Sequence, residues 1–303
     1  MYHVRIPLGI ALLAAIAGLL WLDLRVVSGA VLVTTLSLVA MQALRELYTV
    51  AGVSSRFLAR IGTLGGAALL VGPWLDGAYP GALGVVRATE LVPAALIALV
   101  TGWALVRGQE PPPTGGRPTP HTLSDLSWTA AGLAYVVYPL SSLVATKGLP
   151  ARVGCGGDDP ARAGIALVLY LIVVAKSADI GGYLVGKPFG RHKLIPRISP
   201  NKSWEGAIGG LALSVAVAVG LAGQLGACAL TPFHAAVFGA AMAPLSLAGD
   251  LLESYLKRWS GVKDSGNLVP TYGGMLDMVD SLTLCAPVGH LLLLAFVRGS
   301  AVT

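Results

Sequence analysis

Eight charged side chains, Asp250, Glu253, Lys257, Arg258, Lys263, Asp264, Asp277 and Asp280, crowd one stretch of a chain that is apolar over membrane-length runs on either side. Charge near hydrocarbon is costly and is kept where it faces a cavity, a partner or an ion. Acids interleaved with cations suit a divalent metal together with phosphate. Asp250, Glu253, Ser254, Lys257 and Arg258 fall at i, i+3, i+4, i+7 and i+8, on one face of a helix leaving the membrane. A plain helix end would let Lys257 and Arg258 snorkel to the interface, yet it gives Asp250 no reason to follow the mostly apolar run from Leu245. Downstream, Gly273 and Gly274 turn into a helix whose Asp277 and Asp280, spaced i and i+3, are predicted to share a face. Glycines there let backbone or phosphate approach closely. Carboxylates beside phosphate are the usual surroundings of magnesium; the competing reading is an aspartate capping a helix N-terminus.

A second polar segment, Gly186 to Gly206, carries Lys187, Arg191, His192, Lys193, Arg197, Ser199, Asn201, Lys202 and Ser203 among glycines and prolines. Cations supply charge to a polyphosphate, while hydroxyls and open amides donate hydrogen bonds. An ordinary basic loop lying against anionic lipid heads is the alternative. Gly181 to Lys187 has the glycine and lysine spacing of a phosphate-binding P-loop, but Pro188 stands where Ser or Thr should meet magnesium, and the segment closes a membrane helix. That reading is rejected. Lys176 and Asp179, three apart inside an apolar run with Tyr183 on the same face, either neutralise each other or line a site. His3, His121, His234 and His290 have no metal-ligand spacing.

Helices must position these residues. The 303-residue chain is 55% hydrophobic and 12% charged, with mean hydropathy +0.74, whereas soluble domains carry roughly 25% charged residues. Continuous apolar windows exclude a β-barrel, whose strands alternate, and imply helices long enough to span a core about 30 Å thick. Spans are predicted at 6–22, 27–48, 59–78, 89–106, 127–146, 163–184, 206–226, 232–252 and 279–297. The expected fold is therefore all-α, a polytopic integral membrane protein of about nine transmembrane helices. Residues 1–107 form an N-terminal four-helix half and 108–124 a Pro/Gly-rich linker, leaving 125–303 as the half that holds the chemistry, with loops at 185–205 and 253–278. In this topology 14 Lys and Arg lie on the side of the N-terminus and both basic loops, against 6 on the other, which places that side in the cytoplasm. Eight of the 14 belong to the two site loops themselves. Met1 to Asp23 resembles a signal peptide at first, but hydrophobicity continues through Leu22, and the segment is read as a retained helix. Cys155, Cys228 and Cys285 follow no spacing rule, so neither a disulfide framework nor a zinc motif is expected.

The two polar segments resemble the phosphatidate cytidylyltransferase, or CDP-diacylglycerol synthase, family. The likeness lies in Asp179 to Gly186 with Ile198 to Gly206, and in Gly249, Asp250, Glu253, Ser254, Lys257, Arg258, Lys263, Asp264, Pro270, Gly273, Gly274, Leu276, Asp277, Asp280 and Ser281. Thr271, Tyr272 and Met278 stand where the pattern has Gly, His and Arg. The resemblance implies CTP and phosphatidate as substrates, CDP-diacylglycerol and pyrophosphate as products, and a bacterial inner (plasma) membrane location. It implies Mg2+ at Asp250, Asp277 and Asp280 with Glu253 nearby, and room for a second cation, K+ or another Mg2+. Phosphate binding falls to Ser199, Asn201, Lys202, Lys257, Arg258, Lys263, Arg191 and Lys193, and catalytic roles to Lys202, Lys263, Asp264 and Asp179. Lipid is the expected surrounding, nucleic acid is not an expected partner, and a homodimer is compatible with the reading. A lipid or ion transporter, or an inactive paralogue, remains as the alternative; the first would spread its polar residues through the membrane depth.

Overall fold

The computed structural model describes residues 18, 23, 29–78, 120–155, 157–266, 268 and 273–300. Its helices are α1 (Ala30–Val50), α2 (Arg56–Ala78), α3 (Pro120–Gly132), a π-helical turn (Leu133–Val137), α4 (Tyr138–Lys147), α5 (Leu149–Val153), α6 (Pro160–Phe189), α7 (Trp204–Ala222), a 3-10 turn (Gly223–Cys228), α8 (Pro232–Trp259), α9 (Met275–Val279) and α10 (Leu282–Ser300). Strands β1 (Lys193–Ile195) and β2 (Ser199–Ser203) form an antiparallel hairpin between α6 and α7.

Seven helical segments among the described residues are long and apolar enough to cross a membrane: 30–50, 56–75, 124–147, 160–189, 204–228, 232–259 and 275–297. Each matches a predicted span, and the protein is a polytopic all-α membrane protein. The predicted spans 6–22 and 89–106 lie outside the described residues, as does most of the Pro/Gly-rich segment, although α3 begins at Pro120 within it. Two helices outrun the apolar window that announced them. α6 continues to Phe189 and α8 to Trp259, and 30 helical residues measure about 45 Å. Their last turns carry Lys187, Lys257 and Arg258 on helix instead of loop, which shortens both predicted loops. Most of what remains of the first loop is the hairpin, in which Lys193 pairs with Ser203 and Ile195 with Ser199.

Local chemistry fixes where helices begin. The Asp159 carboxylate accepts from the Arg162 amide at 3.0 Å with Pro160 following it, the Ser203 hydroxyl accepts from Gly206 at 3.2 Å, and Thr231 accepts from His234 at 3.2 Å ahead of Pro232. Buried Asp23 accepts from the amides of Gly29, Val31 and Leu32 at 3.0–3.2 Å and pairs with Lys147 at 2.7 Å. Helix contacts that shape the site run through small residues, as membrane packing favours. A side chain at Gly181 would collide with the Gly209 carbonyl, and one at Gly210 with that of Ala178, so α6 and α7 touch backbone to backbone. The Ser214 hydroxyl lies 2.9 Å from the Gly239 carbonyl and 3.3 Å from that of Val174, joining α6, α7 and α8.

One expectation is corrected at the opposite end of the bundle. Cys155, after α5, and Cys228, after α7, form a disulfide with an S–S distance of 2.01 Å. No spacing rule could pair residues 73 positions apart; the fold does so because the α4–α6 connection lies against the end of α7. Cys285 is free and buried.

Candidate active site

The polar residues singled out in sequence gather where α6, the hairpin, α8 and the α9–α10 turn meet. Gly249 makes this possible. A Cβ there would strike the Asp280 carbonyl and the Ser281 backbone, so only glycine lets α8 come this close to the turn. The approach brings Asp250 and Glu253, one helical turn apart, against Asp280, and one carboxylate oxygen from each lies within 4.8 Å of the others. Glu253 and Asp280 are buried, and Glu253 Oε1 is buried with no hydrogen-bond partner. Three carboxylates this close, one of them with a buried oxygen that has no hydrogen-bond partner, make a donor set that fits a metal ion.

Three lysines hold the cluster together. Lys202, from β2, pairs with Asp250. Lys176 lies 3.6 Å from Asp179 and 3.7 Å from Asp280 and donates to the Ser281 hydroxyl at 2.6 Å. Lys257 bridges Glu253 and Asp277, the latter at 2.6 Å. Asp179 also accepts from Ser246 at 2.6 Å. Counted formally, Asp179, Asp250, Glu253, Asp277 and Asp280 face Lys176, Lys202 and Lys257, which leaves two negative charges, the amount one divalent cation neutralises. Burial opposes the charge on Lys202, but the carboxylates of Asp250, Asp179 and Asp280 outweigh it and raise its pKa above the ordinary 10.5.

A cavity of about 780 Å³ between α6, α7, α8 and the hairpin adjoins this cluster through Lys202 and Asp179. Its polar end is lined by Asp179, Lys187, Lys193, Asn201 and Lys202, and its apolar wing by Ile208, Leu211, Ala240, Ala243, Pro244 and Leu247. Trp204, Ile208 and Tyr183 are exposed along its rim. Such a space can take an amphiphile, with phosphate at one end and hydrocarbon at the other.

Not every predicted site residue converges here. Lys176 and Asp179 do, so the intramembrane pair belongs to the site. Asp277 is in the same constellation with different partners: besides Lys257, its Oδ2 accepts from Gly274 N at 2.7 Å, Ser265 Oγ at 2.9 Å and Ser265 N at 3.2 Å. Asp280 follows the last residue of α9 with helical backbone angles, and both acids meet α8, Asp277 through Lys257 and Asp280 beside Asp250 and Glu253. Ser199 begins β2 at the turn end of the hairpin, opposite Ile195. Arg191, Lys193, Lys263 and Asp264 are exposed, and Arg258 donates to the Val262 carbonyl at 3.3 Å. His192 pairs with Glu205 at 2.6 Å, closing the hairpin onto α7. Thr271 and Tyr272 lie outside the described residues, while Met278 is half-buried in α9.

Glu46, Ser246 and Ser265 escaped the sequence reading. For Glu46 a signal existed, an acid inside the predicted span 27–48. The glycine turn also has a different occupant from the one expected. Side chains at Gly273 and Gly274 would strike the carboxylates of Asp277 and Glu46, so the close approach is made by the protein's own acids; Gly273 further has φ +94°, in the left-handed region.

Comparison with known proteins gives the family. The model of the cytidylyltransferase family matches residues 3–296. A phosphatidate cytidylyltransferase of Pseudomonas aeruginosa is 44% identical over 129 residues, 43% of this chain and 48% of that protein. One of Haemophilus influenzae is 38% identical over 167 residues, 53% of this chain and 57% of its own. One of Brucella suis is 36% identical over 201 residues, 66% and 63% respectively. The alignments span about half to just under two thirds of these relatives. With nearly its whole length matched and the polar core of the match assembled in space, the chain belongs to the cytidylyltransferase family.

Proposed function

We propose that this protein is a phosphatidate cytidylyltransferase, converting CTP and phosphatidate to CDP-diacylglycerol and pyrophosphate. The observation that carries the reading is the convergence of Asp250, Glu253 and Asp280, with Lys202 paired to Asp250 while lining a cavity that has both cationic and apolar walls. Relatives bearing that activity in their names lend further support.

A phosphatidate oxygen attacks the α-phosphorus of CTP, the bond between the α-phosphorus and the bridging oxygen breaks, and pyrophosphate leaves with the bonding pair. The substrate brings its own anionic nucleophile, so no Ser or Cys nucleophile is needed. The chain's task is to bring two polyanions together at the interface in line, mostly by positioning and electrostatics. Asp250, Glu253 and Asp280 are the residues that would hold Mg2+, which when bound neutralises charge on the triphosphate and the departing pyrophosphate. Lys202 lines the cavity while paired to Asp250 and can pass from that carboxylate to a phosphate oxygen. Lys193, Lys187 and Asn201 add charge and hydrogen bonds at the same end, and the Ile208, Leu211 and Leu247 wing takes the acyl chains of phosphatidate. Lys176 keeps Asp280 and Asp179 oriented, and Lys257 does the same for Glu253.

The same reading puts the hairpin and the α8–α9 loop in the cytoplasm, where CTP is. The Cys155–Cys228 disulfide supports this, since it lies at the far end of α7 from Lys202 and disulfides persist on the oxidising side of a membrane. The bacterial inner membrane fits both sides. Purified protein in detergent, given CTP, phosphatidate and Mg2+, is expected to release pyrophosphate and form a lipid nucleotide in equal amounts, with EDTA abolishing both. CTP left unconsumed by folded protein in the presence of Mg2+ would remove the enzyme reading.

A further inference from the structure

Near the end of α1, Glu46 reaches from the N-terminal half to the segment that leads into α9. Its side chain is 94% buried and accepts four hydrogen bonds: from Gln42 Nε2 at 2.9 Å, Met275 N at 3.0 Å, Leu276 N at 2.8 Å and Ser265 Oγ at 3.1 Å. Three of these donors lie 219 to 230 residues away in sequence, in the segment that leads into α9. The contact is built into that segment, because side chains at Gly274 and Gly266 would press on the Glu46 carboxylate.

From Glu46 a continuous chain of polar contacts leads to the acidic cluster. Ser265 Oγ stands 3.1 Å from Glu46 Oε2 and 2.9 Å from Asp277 Oδ2. With one proton to give, it donates to only one of the two carboxylates at a time, so the demand of each is felt by the other. Asp277 also takes the Ser265 and Gly274 amides and binds Lys257 at 2.6 Å, and Lys257 in turn binds Glu253. How firmly Asp277 holds Lys257 therefore decides how far Lys257 ties up Glu253, whose other oxygen has no partner.

We propose that Glu46 is a positioning residue for the acidic cluster: by fixing Ser265 and the start of α9 it sets Asp277, which shares Lys257 with Glu253 and so governs how much of that lysine's charge competes with a divalent cation at Glu253. An ordinary helix cap would satisfy the Met275 and Leu276 amides and nothing more. The inference rests on the metal reading of Asp250, Glu253 and Asp280, and the experiment separates the two.

Mn2+ is the probe, its binding to the full chain in detergent followed by loss of the free-ion electron paramagnetic resonance signal, without nucleotide or lipid. Thermal unfolding is measured in parallel. Wild-type protein is expected to bind Mn2+, and Glu46→Gln, which keeps shape and one acceptor oxygen, to bind it about tenfold more weakly, the lower end of the effect of outer residues on metal sites. Ser265→Ala, which leaves the amides capped and cuts only the link between Glu46 and Asp277, is expected to weaken binding by several-fold with little change in melting temperature. It keeps the test open if Glu46→Gln fails to fold. Wild-type Mn2+ affinity in Ser265→Ala, or in a folded Glu46→Gln whose melting temperature alone has dropped, overturns the positioning role. Absence of Mn2+ binding in the wild type overturns the metal reading instead.

Discussion

Asp280→Asn is expected to remove turnover while leaving the protein folded. The substitution changes one oxygen to an amide, keeps the volume of a buried side chain, and leaves an oxygen able to accept from the Ser281 amide, now at 2.6 Å. What it deletes is charge. Asp280 is the member of the acidic trio that comes from the α9–α10 turn, and without it Asp250 and Glu253 confront a cation from α8 alone. Loss of transition-state charge stabilisation of about 4 kcal/mol corresponds to roughly a 10³-fold fall in kcat. Steady-state rates on detergent-purified enzyme, with thermal unfolding as the control for folding, measure it. A rate within a few-fold of wild type would assign Asp280 to packing around Lys176 and take it out of the site.

Lys202→Met carries the second large effect. Methionine keeps the apolar stem along the cavity wall and removes the ammonium, so Asp250 is left without its partner and the polar end of the cavity loses its innermost cation. Removal of one preorganised charge-stabilising donor costs on the order of 10²- to 10³-fold, and kcat/KM for CTP is expected to fall by that amount at saturating phosphatidate. The pH dependence of the wild type bears on the same residue. Its pKa is raised in the folded protein, so the favourable charge pairing is fully present below the ordinary lysine value of 10.5 and is lost only as pH rises through the higher folded value. Lys202 therefore contributes no alkaline decline in rate at any pH up to about 10. A Lys202→Met enzyme with unchanged kcat/KM would leave the hairpin as a surface loop.

Both predictions concern residues legible in the sequence, and the reason is physical. Acids and lysines inside or beside hydrocarbon are too costly to be incidental, so Lys176, Asp179, Lys202, Asp250, Glu253 and Asp280 announce themselves without knowledge of the fold. The spans were equally plain, because continuous apolar runs admit only helices in a bilayer. What sequence could not supply was pairing across the chain. Nothing local says that Cys155 meets Cys228, that Glu46 meets the amides before Asp277, or that Ser246 meets Asp179. The Asp277 and Asp280 pair shows the limit of spacing arguments: on α8 Asp277 meets Lys257 and Asp280 meets Asp250 and Glu253, partners that no local interval could name. The hairpin was hidden for a related reason: its strands are only three and five residues long, the second of them polar, and they are fixed by Ser203 and Glu205 at the start of α7 rather than by β-propensity.

The most direct test follows the label. With CTP carrying radioactive phosphorus at the α position, purified protein, phosphatidate and Mg2+, the label is expected in the organic phase as CDP-diacylglycerol. With the label at the γ position it is expected only in aqueous pyrophosphate. Omission of phosphatidate should leave the organic phase blank. An organic phase free of α label, from protein that unfolds cooperatively and is supplied with all three components, would contradict the claim that Asp250, Glu253, Asp280 and Lys202 form a cytidylyl-transfer site.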